Sequence, residues 1–203
     1  MSKQNILLVA SGNAKKLKEL QELLGDLDLK LISLSNFPEV VEVAEDGNSF
    51  KENAEKKALG FARQTKCLTI ADDSGITVDH LKGAPGIYSA RFADTEKNDL
   101  RNCEKLLYLM KDVPYQNRQA QFRCAVALAT PFKVVSVVEE SVSGYLTEQM
   151  KGEGGFGYDP LFFYPEFGKT FAEVSPDLKH SVSHRGKALL KMKEVLRGYL
   201  SGC

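Results

Sequence analysis

The stretch CLTIADDSG, residues 67–75, runs an apolar segment into two adjacent carboxylates, Asp72 and Asp73. Neighbouring carboxylates raise each other's pKa unless a cation or hydrogen-bond donors offset the charge. Asp, Ser and Gly are ordinary turn formers, so a solvated turn is one reading. The other is an acidic site at the end of a buried strand, suited to a hard cation such as Mg2+. Side chains alternate along a strand. Asp73 then shares a face with Thr69 and Ala71 while Asp72 points the other way, and the two acids do different work.

Three further segments carry residues that a plain fold does not require. SGNAKK, Ser11 to Lys16, lies between an apolar run and a helical pattern. A helix N-terminus offers free N–H groups and partial positive charge to a phosphate, and Lys15 and Lys16 add charge. The spacing is not that of a Walker A loop, and a capped turn with solvent-facing lysines is the plainer alternative. GGFGYDP places glycines at 154, 155 and 157 around two aromatics, Phe156 and Tyr158, followed by Asp159. Such glycines permit close backbone approach to a ligand. The aromatics could stack on a planar base, and Asp159 could accept from a base or sugar. A glycine-rich turn with its aromatics tucked beneath is the alternative. Lys179 and His184-Arg185-Gly186 precede the last helical pattern. Cations there oppose the helix dipole, which an anionic or carbonyl-rich ligand would relieve; an exposed basic loop is the alternative. Together the four segments supply a phosphate cradle, a metal site, a base platform and polar base readers.

The elements that must position them follow from the apolar pattern. Ile6 to Ala10 reads as a strand buried on both faces. A helix follows with Leu17, Leu20, Leu23 and Leu24 on one face and Asn13 as its N-cap. Leu27 to Leu34 alternates as a second strand. Ser49 and Glu52 form a capping box for a helix to about Gln64. The strand ending at Asp72-Asp73 comes next, then the loop GAPGIYSARF, then a helix over Thr95–Lys111. Gln119–Thr130 reads as a half-buried strand, returned by an antiparallel Val134–Val142. Leu161–Tyr164 is a short strand, and a helix over about Gly186–Leu200 ends the chain. The pattern predicts an α/β fold with a mixed sheet. One domain over residues 1–203, of two lobes around a central cleft, fits best.

With 27 Lys+Arg against 27 Asp+Glu, nothing favours a nucleic-acid partner held by bulk positive charge. The cysteines at 67, 103, 124 and 203 lack metal-type spacing and read as reduced cytosolic thiols. The apolar run before Ser11 is too short for a signal peptide, and nothing reaches the length of a membrane span.

The motifs SGNAKKLKEL, SFKENAEKKA, IADDSGITVD, GAPGIYSARF, GEGGFGYDPLF and SVSHRGKAL resemble, in order and spacing, the Ham1/inosine triphosphate pyrophosphatase family in its bacterial wording. The resemblance covers nearly the whole chain. It implies hydrolysis of ITP, dITP and XTP to the monophosphate and pyrophosphate with Mg2+. It also implies an elongated α/β fold with flanking helices and a deep cleft, in a cytoplasmic homodimer. Its phosphate loop falls on Ser11, Gly12, Asn13, Ala14, Lys15 and Lys16. Its essential acid falls on Asp73, as metal ligand or general base, with Ser74 beside it. Its second metal acid falls on Glu45, and a phosphate lysine falls on Lys57. Its base pocket falls on Phe156, Gly157, Tyr158, Asp159, Lys179, His184 and Arg185. Ser11 stands where many members have Thr, which keeps the hydroxyl.

Two other readings compete. A nucleotide sensor without turnover would lack the acids present at 45 and 73. A Maf-type pyrophosphatase shares a related fold and reaction, but GGFGYD and the His-Arg pair argue against it.

Overall fold

The computed structural model describes residues 5–11 and 14–202. Gly12, Asn13 and Cys203 lie outside the described residues, and with them the cap expected at Asn13. In chain order the elements are β1 (Asn5–Val9), α1 (Ala14–Leu23), β2 (Leu29–Ser33), α2 (Phe50–Thr65), β3 (Leu68–Val78) and α3 (Asp99–Leu109). They continue as β4 (Gln119–Ala129), β5 (Val134–Leu146), β6 (Phe162–Tyr164), β7 (Lys169–Thr170), α4 (Pro176–Val182) and α5 (His184–Ser201).

The described strands form one seven-stranded sheet in the order β2-β1-β3-β4-β5-β6-β7. β2 and β3 both run parallel to β1, as crossover connections through helices require. β4 and β5 are neighbours joined only by residues 130–133. A link that short allows only an antiparallel return, and the Thr130 N–H closes it on Lys133 O at 3.0 Å. β6 is antiparallel to β5 and to β7. The sheet is mixed, as the apolar pattern predicts.

The chain forms two compact units. The first comprises the described residues of Met1–Asp73, Cys124–Glu139 and Ala188–Cys203. Its core gathers Leu7, Leu20, Ile70, Val126, Leu128 and Met192. The second comprises Ser74–Arg123 and Glu140–Lys187. Its core gathers Ile76, Leu106, Met110, Phe122, Phe162 and Phe171.

Several expectations shift. β3 does not turn after Asp73 but continues through Ser74 and Gly75 to Val78. Ile76 and Val78 are fully buried, and this burial extends the strand. Gly75 is read as a turn residue but serves close packing: a Cβ there would collide with Ser89 Oγ and the Gly86 carbonyl. The Ser89 hydroxyl accepts the Ile76 N–H at 2.9 Å and donates to Gly86 O at 2.6 Å. GAPGIYSARF is therefore a brace against β3. α3 starts four residues later than expected because Asn98 caps it, accepting the Arg101 N–H at 3.0 Å. Ser49 caps α2, but Glu52 takes the Asn48 N–H at 2.8 Å, so the expected capping box reaches back one residue further. β4 is buried on both faces from Cys124 onward, not half-buried throughout. α4 and β7 were not anticipated, both being too short to show a period.

Arg118 is buried in the second unit, 2 % exposed. Its guanidinium donates to the carbonyls of Leu146, Thr147, Met110 and Val113 at 2.7–3.3 Å. Methionine matches its bulk but cannot donate to these carbonyls, of which Met110 O keeps the Val113 N–H at 3.2 Å. Arg118→Met is expected to cost about 3–5 kcal/mol, lowering Tm by roughly 10 °C. Thermal unfolding followed by circular dichroism checks this, and an unchanged Tm would contradict it.

Candidate functional site

The predicted site residues fall into two sets, one in each unit. In the first unit a loop without regular structure lies along α2, held in reverse order by the helix's own side chains. Gln64 bonds both backbone groups of Val41, at 2.9 and 3.0 Å. Gly60 leaves room for Val43, whose Cγ2 would be 2.7 Å from any Cβ there. Lys56 pairs with Asp46 at 2.8 Å and Lys57 with Glu45 at 3.4 Å. Asn53 Oδ1 accepts the Gly47 N–H at 2.8 Å.

The same face of α2 reaches β3. Asn53 Nδ2 donates to Asp73 Oδ2 at 3.0 Å, and Lys57 Nζ donates to the Asp72 carbonyl at 3.1 Å. Asn53 and Lys57 are four residues apart, hence one above the other on the helix. They tie the Glu45 loop and the β3 acids to one rigid element. Burial pushes the Asp73 carboxyl above the usual range; the Glu45 and Asp72 charges push the same way, and Asn53 and Lys57 pull against them. The contact of Asp72 with Lys57 is through its backbone carbonyl.

Asp73 and Glu45 are oxygen donors of the kind hard cations take, and a divalent ion would relieve the burial that raises Asp73. Among the described residues no three His, Cys, Asp or Glu gather into a cage. Mg2+ characteristically uses one or two carboxylates and fills its other positions with water and substrate phosphate. The donor set therefore fits. Ser11 is half-buried at the end of β1, its N–H on Val9 O at 2.8 Å. Ala14, Lys15 and Lys16 open α1.

In the second unit the centre is Phe156, 53 % exposed. Lys179 Nζ lies 4.2 Å from its ring centroid and the Arg185 guanidinium carbon 5.4 Å. Asp159 is buried beneath. Its Oδ2 accepts from Lys179 Nζ and, at 2.8 Å, from the Phe156 N–H. Burial pushes the Asp159 carboxyl up, while Lys179, the Phe156 amide and Arg185 oppose the rise. Asp159 is thus engaged within the loop: it orients Lys179 rather than lying open to a base or sugar. Arg185 Nη2 donates to Ser74 Oγ at 3.1 Å.

Tyr158 corrects the expectation of a second stacking ring. It is 4 % exposed, and its hydroxyl donates to Ser89 O at 2.8 Å. It anchors the loop, and Phe156 alone presents a face. Of the glycines, 155 has φ 77° and lies against the Asp159 carboxylate, and 154 lies against the Ala172 carbonyl. Their close approaches serve the loop's own packing.

His184 and Arg185 form the first turn of α5 and are buried, not an exposed basic loop. The His184 ring stacks on Phe122, centroids 4.9 Å apart and planes 11° from parallel. Gly186 is required at this corner, because the His180 carbonyl occupies the place of a Cβ. Ser183 Oγ accepts the Gly186 N–H at 3.1 Å, capping the helix. The tight α4–α5 corner places Lys179 and Arg185 on one ring.

Two residues with clear parts here escaped the sequence reading. Asn53 lies in SFKENAEKKA, four residues before Lys57, and that spacing is the available signal. Ser89 had none, since its partners in β3 are long-range.

The comparisons with known proteins give the family and the fold. The Ham1 family model matches residues 7–195. The chain is 52 % identical over 190 residues to the dITP/XTP pyrophosphatase of Desulforamulus reducens, covering 94 % of each. It is 47 % identical over 196 residues to that of Geobacillus kaustophilus, covering 97 % of this chain and 96 % of the relative. A solved HAM1 protein from Coxiella burnetii superposes with a TM-score of 0.90 at 36 % identity, covering 96 % of this chain and 99 % of that one. An α/β protein with a carboxylate–lysine set and an aromatic–cation set thus has close counterparts in sequence and in fold. The chain belongs to the Ham1 family.

Proposed function

We propose that this protein hydrolyses ITP, dITP and XTP to the nucleoside monophosphate and pyrophosphate, clearing deaminated purines from the nucleotide pool. The observation that carries the reading is the exposed Phe156 ring flanked by Lys179 and Arg185 over a buried Asp159. It offers one aromatic face and fixed donors to a planar base rich in carbonyls. The relatives' name, dITP/XTP pyrophosphatase, supports dITP and XTP among these substrates.

Water attacks the α-phosphorus, the bond to the bridging oxygen breaks, and pyrophosphate leaves. Asp73 and Glu45 would hold Mg2+, which when bound neutralises charge on the phosphate oxygens. Asp73 also takes the proton of the attacking water. Lys57 and the segment Ser11, Gly12, Asn13, Ala14, Lys15 and Lys16 bind the triphosphate. Ser74 and Arg185 hold each other in place through their hydrogen bond. Hypoxanthine and xanthine carry a 6-keto acceptor where adenine carries an amino donor. Arg185, with Lys179 and His184, supplies donors that adenine would leave unmet, and unmet buried donors discriminate strongly.

We place the enzyme in the cytoplasm as a homodimer with small-molecule rather than nucleic-acid or membrane partners. Cys67, Cys103 and Cys124 are free thiols, and no helix among the described residues is long and apolar enough to cross a membrane.

The test is product analysis with ITP, dITP, XTP, ATP, GTP, UTP and dTTP, with and without Mg2+. Metal-dependent pyrophosphate release from the first three supports the proposal. Turnover of UTP and dTTP instead would favour the Maf-type reading, and binding without turnover the sensor reading.

Asn53 has a measurable part in this scheme. Its amide joins the Glu45 loop to Asp73. Groups that orient metal ligands typically cost about 10–100-fold when removed. Asn53→Ala is expected to raise the Mg2+ concentration for half-maximal rate by about that factor. A metal titration of initial rate checks it, and an unchanged midpoint would refute it.

A further inference from the structure

Gly157 lies between Phe156, whose ring is exposed, and Tyr158, whose ring is buried. Its φ is 59°, and a Cβ there would meet open space. A loop glycine so placed has wide rotational freedom. Here, however, both of its backbone polar groups are taken by one helix. The Gly157 N–H donates to Asp99 Oδ2 at 2.6 Å. The Cys103 thiol donates to the Gly157 carbonyl at 3.3 Å.

Asp99 and Cys103 are four residues apart on α3, so they present themselves on one face a turn apart. Asn98 fixes that turn as its cap. Cys103 is 1 % exposed. Its burial, with Asp99 and Asp159 nearby, pushes the thiol up to about 12, so it keeps its proton and remains a donor at neutral pH. The carboxylate acceptor makes the other bond charge-assisted and hence stronger than a neutral one. Free rotation at Gly157 would let the preceding ring of Phe156 leave the two cations beside it.

We infer that Asp99 and Cys103 are positioning residues for base recognition, clamping the Gly157 peptide so that Phe156 stays between Lys179 and Arg185. This rests on the proposed reading of Phe156 as the base platform. Neither residue belongs to the segments that suggested the site; on a helical face that buries Leu106 and Met110, Cys103 reads as core. The clamp makes selectivity depend on α3, which supplies none of the groups assigned to the base.

The test compares Asp99→Ala and Cys103→Ala with Asp99→Asn and Cys103→Ser, which keep an acceptor and a donor. The alanine variants are expected to raise KM for ITP about five- to tenfold with kcat within about twofold. The conservative variants recover most of that loss. A purely structural role would reduce the active fraction, lowering apparent kcat and leaving KM unmoved. Unchanged KM in both alanine variants would overturn the inference. Hydrogen exchange of the Gly157 amide gives a readout independent of turnover: faster in Asp99→Ala supports the clamp, and an unchanged rate contradicts it. If the wild type fails to hydrolyse ITP, the proposed function falls and the exchange rate alone decides the clamp.

Discussion

Asp73→Asn is expected to abolish pyrophosphate release from ITP, with kcat falling about 10³-fold or more while the protein stays folded. The amide preserves the shape of the carboxylate and can still accept from Asn53 Nδ2, now 3.0 Å away. It cannot take a proton from water, and it is a poor ligand for a hard cation. Stability moves the other way. In the fold, burial raises the Asp73 pKa above its ordinary value. An acid with a raised folded pKa is a stability cost when ionised, and that cost fades as pH falls and the folded protein protonates first. In EDTA at pH 7, Asp73→Asn is therefore expected to melt at or above the wild-type Tm. The difference closes as pH falls toward the ordinary carboxylate range of about 4. A marked drop in Tm at pH 7 would show that the acid is held for folding rather than for chemistry.

Arg185→Ala is expected to lower kcat/KM for ITP by about 100-fold, the loss that follows when a charged donor to a buried acceptor is removed. Inhibition by free pyrophosphate is expected to stay near wild type, because the groups proposed to bind phosphate do not include Arg185. Two contacts go in this variant, the bond to Ser74 Oγ at 3.1 Å and one of two cations beside Phe156, together with the proposed donor to the base. Arg185→Lys recovers only part, since a lysine supplies one compact charge where arginine supplies a fork of donors. Steady-state kinetics on ITP, with pyrophosphate as inhibitor, separate the base effect from the phosphate effect. Near-unchanged ITP turnover would remove Arg185 from base recognition.

The parallel part of the sheet was legible because Ile6 to Ala10 is a continuous apolar run and a strong helical period follows it. The segments SGNAKK, ADDSG, GGFGYD and the His-Arg pair were legible as chemistry because their residue types are ones a core does not need. What local sequence could not show is direction and depth. Ser74-Gly75 reads as a turn, yet Ile76 and Val78 are drawn into the second unit's core, and β3 runs on. Gly75 is small because Ser89 packs against it, fourteen residues ahead in a separate segment. Phe156 and Tyr158 look equivalent in a glycine-rich loop; only the Tyr158 hydroxyl's bond to Ser89 O separates anchor from platform. The fold was carried by period and the site by composition. The supports between them, Asn53, Ser89, Asp99 and Cys103, make contacts that no local pattern marks.

The most direct test of the central claim is the ratio of kcat/KM for ITP to that for ATP, read as pyrophosphate released in Mg2+ by the wild-type protein. The site described here predicts a ratio of about 10² or more, because the 6-amino group of adenine cannot accept from the donors at Lys179 and Arg185 as a 6-keto oxygen does. A ratio near one would contradict it, leaving a triphosphate hydrolase whose aromatic–cation loop does not read the base.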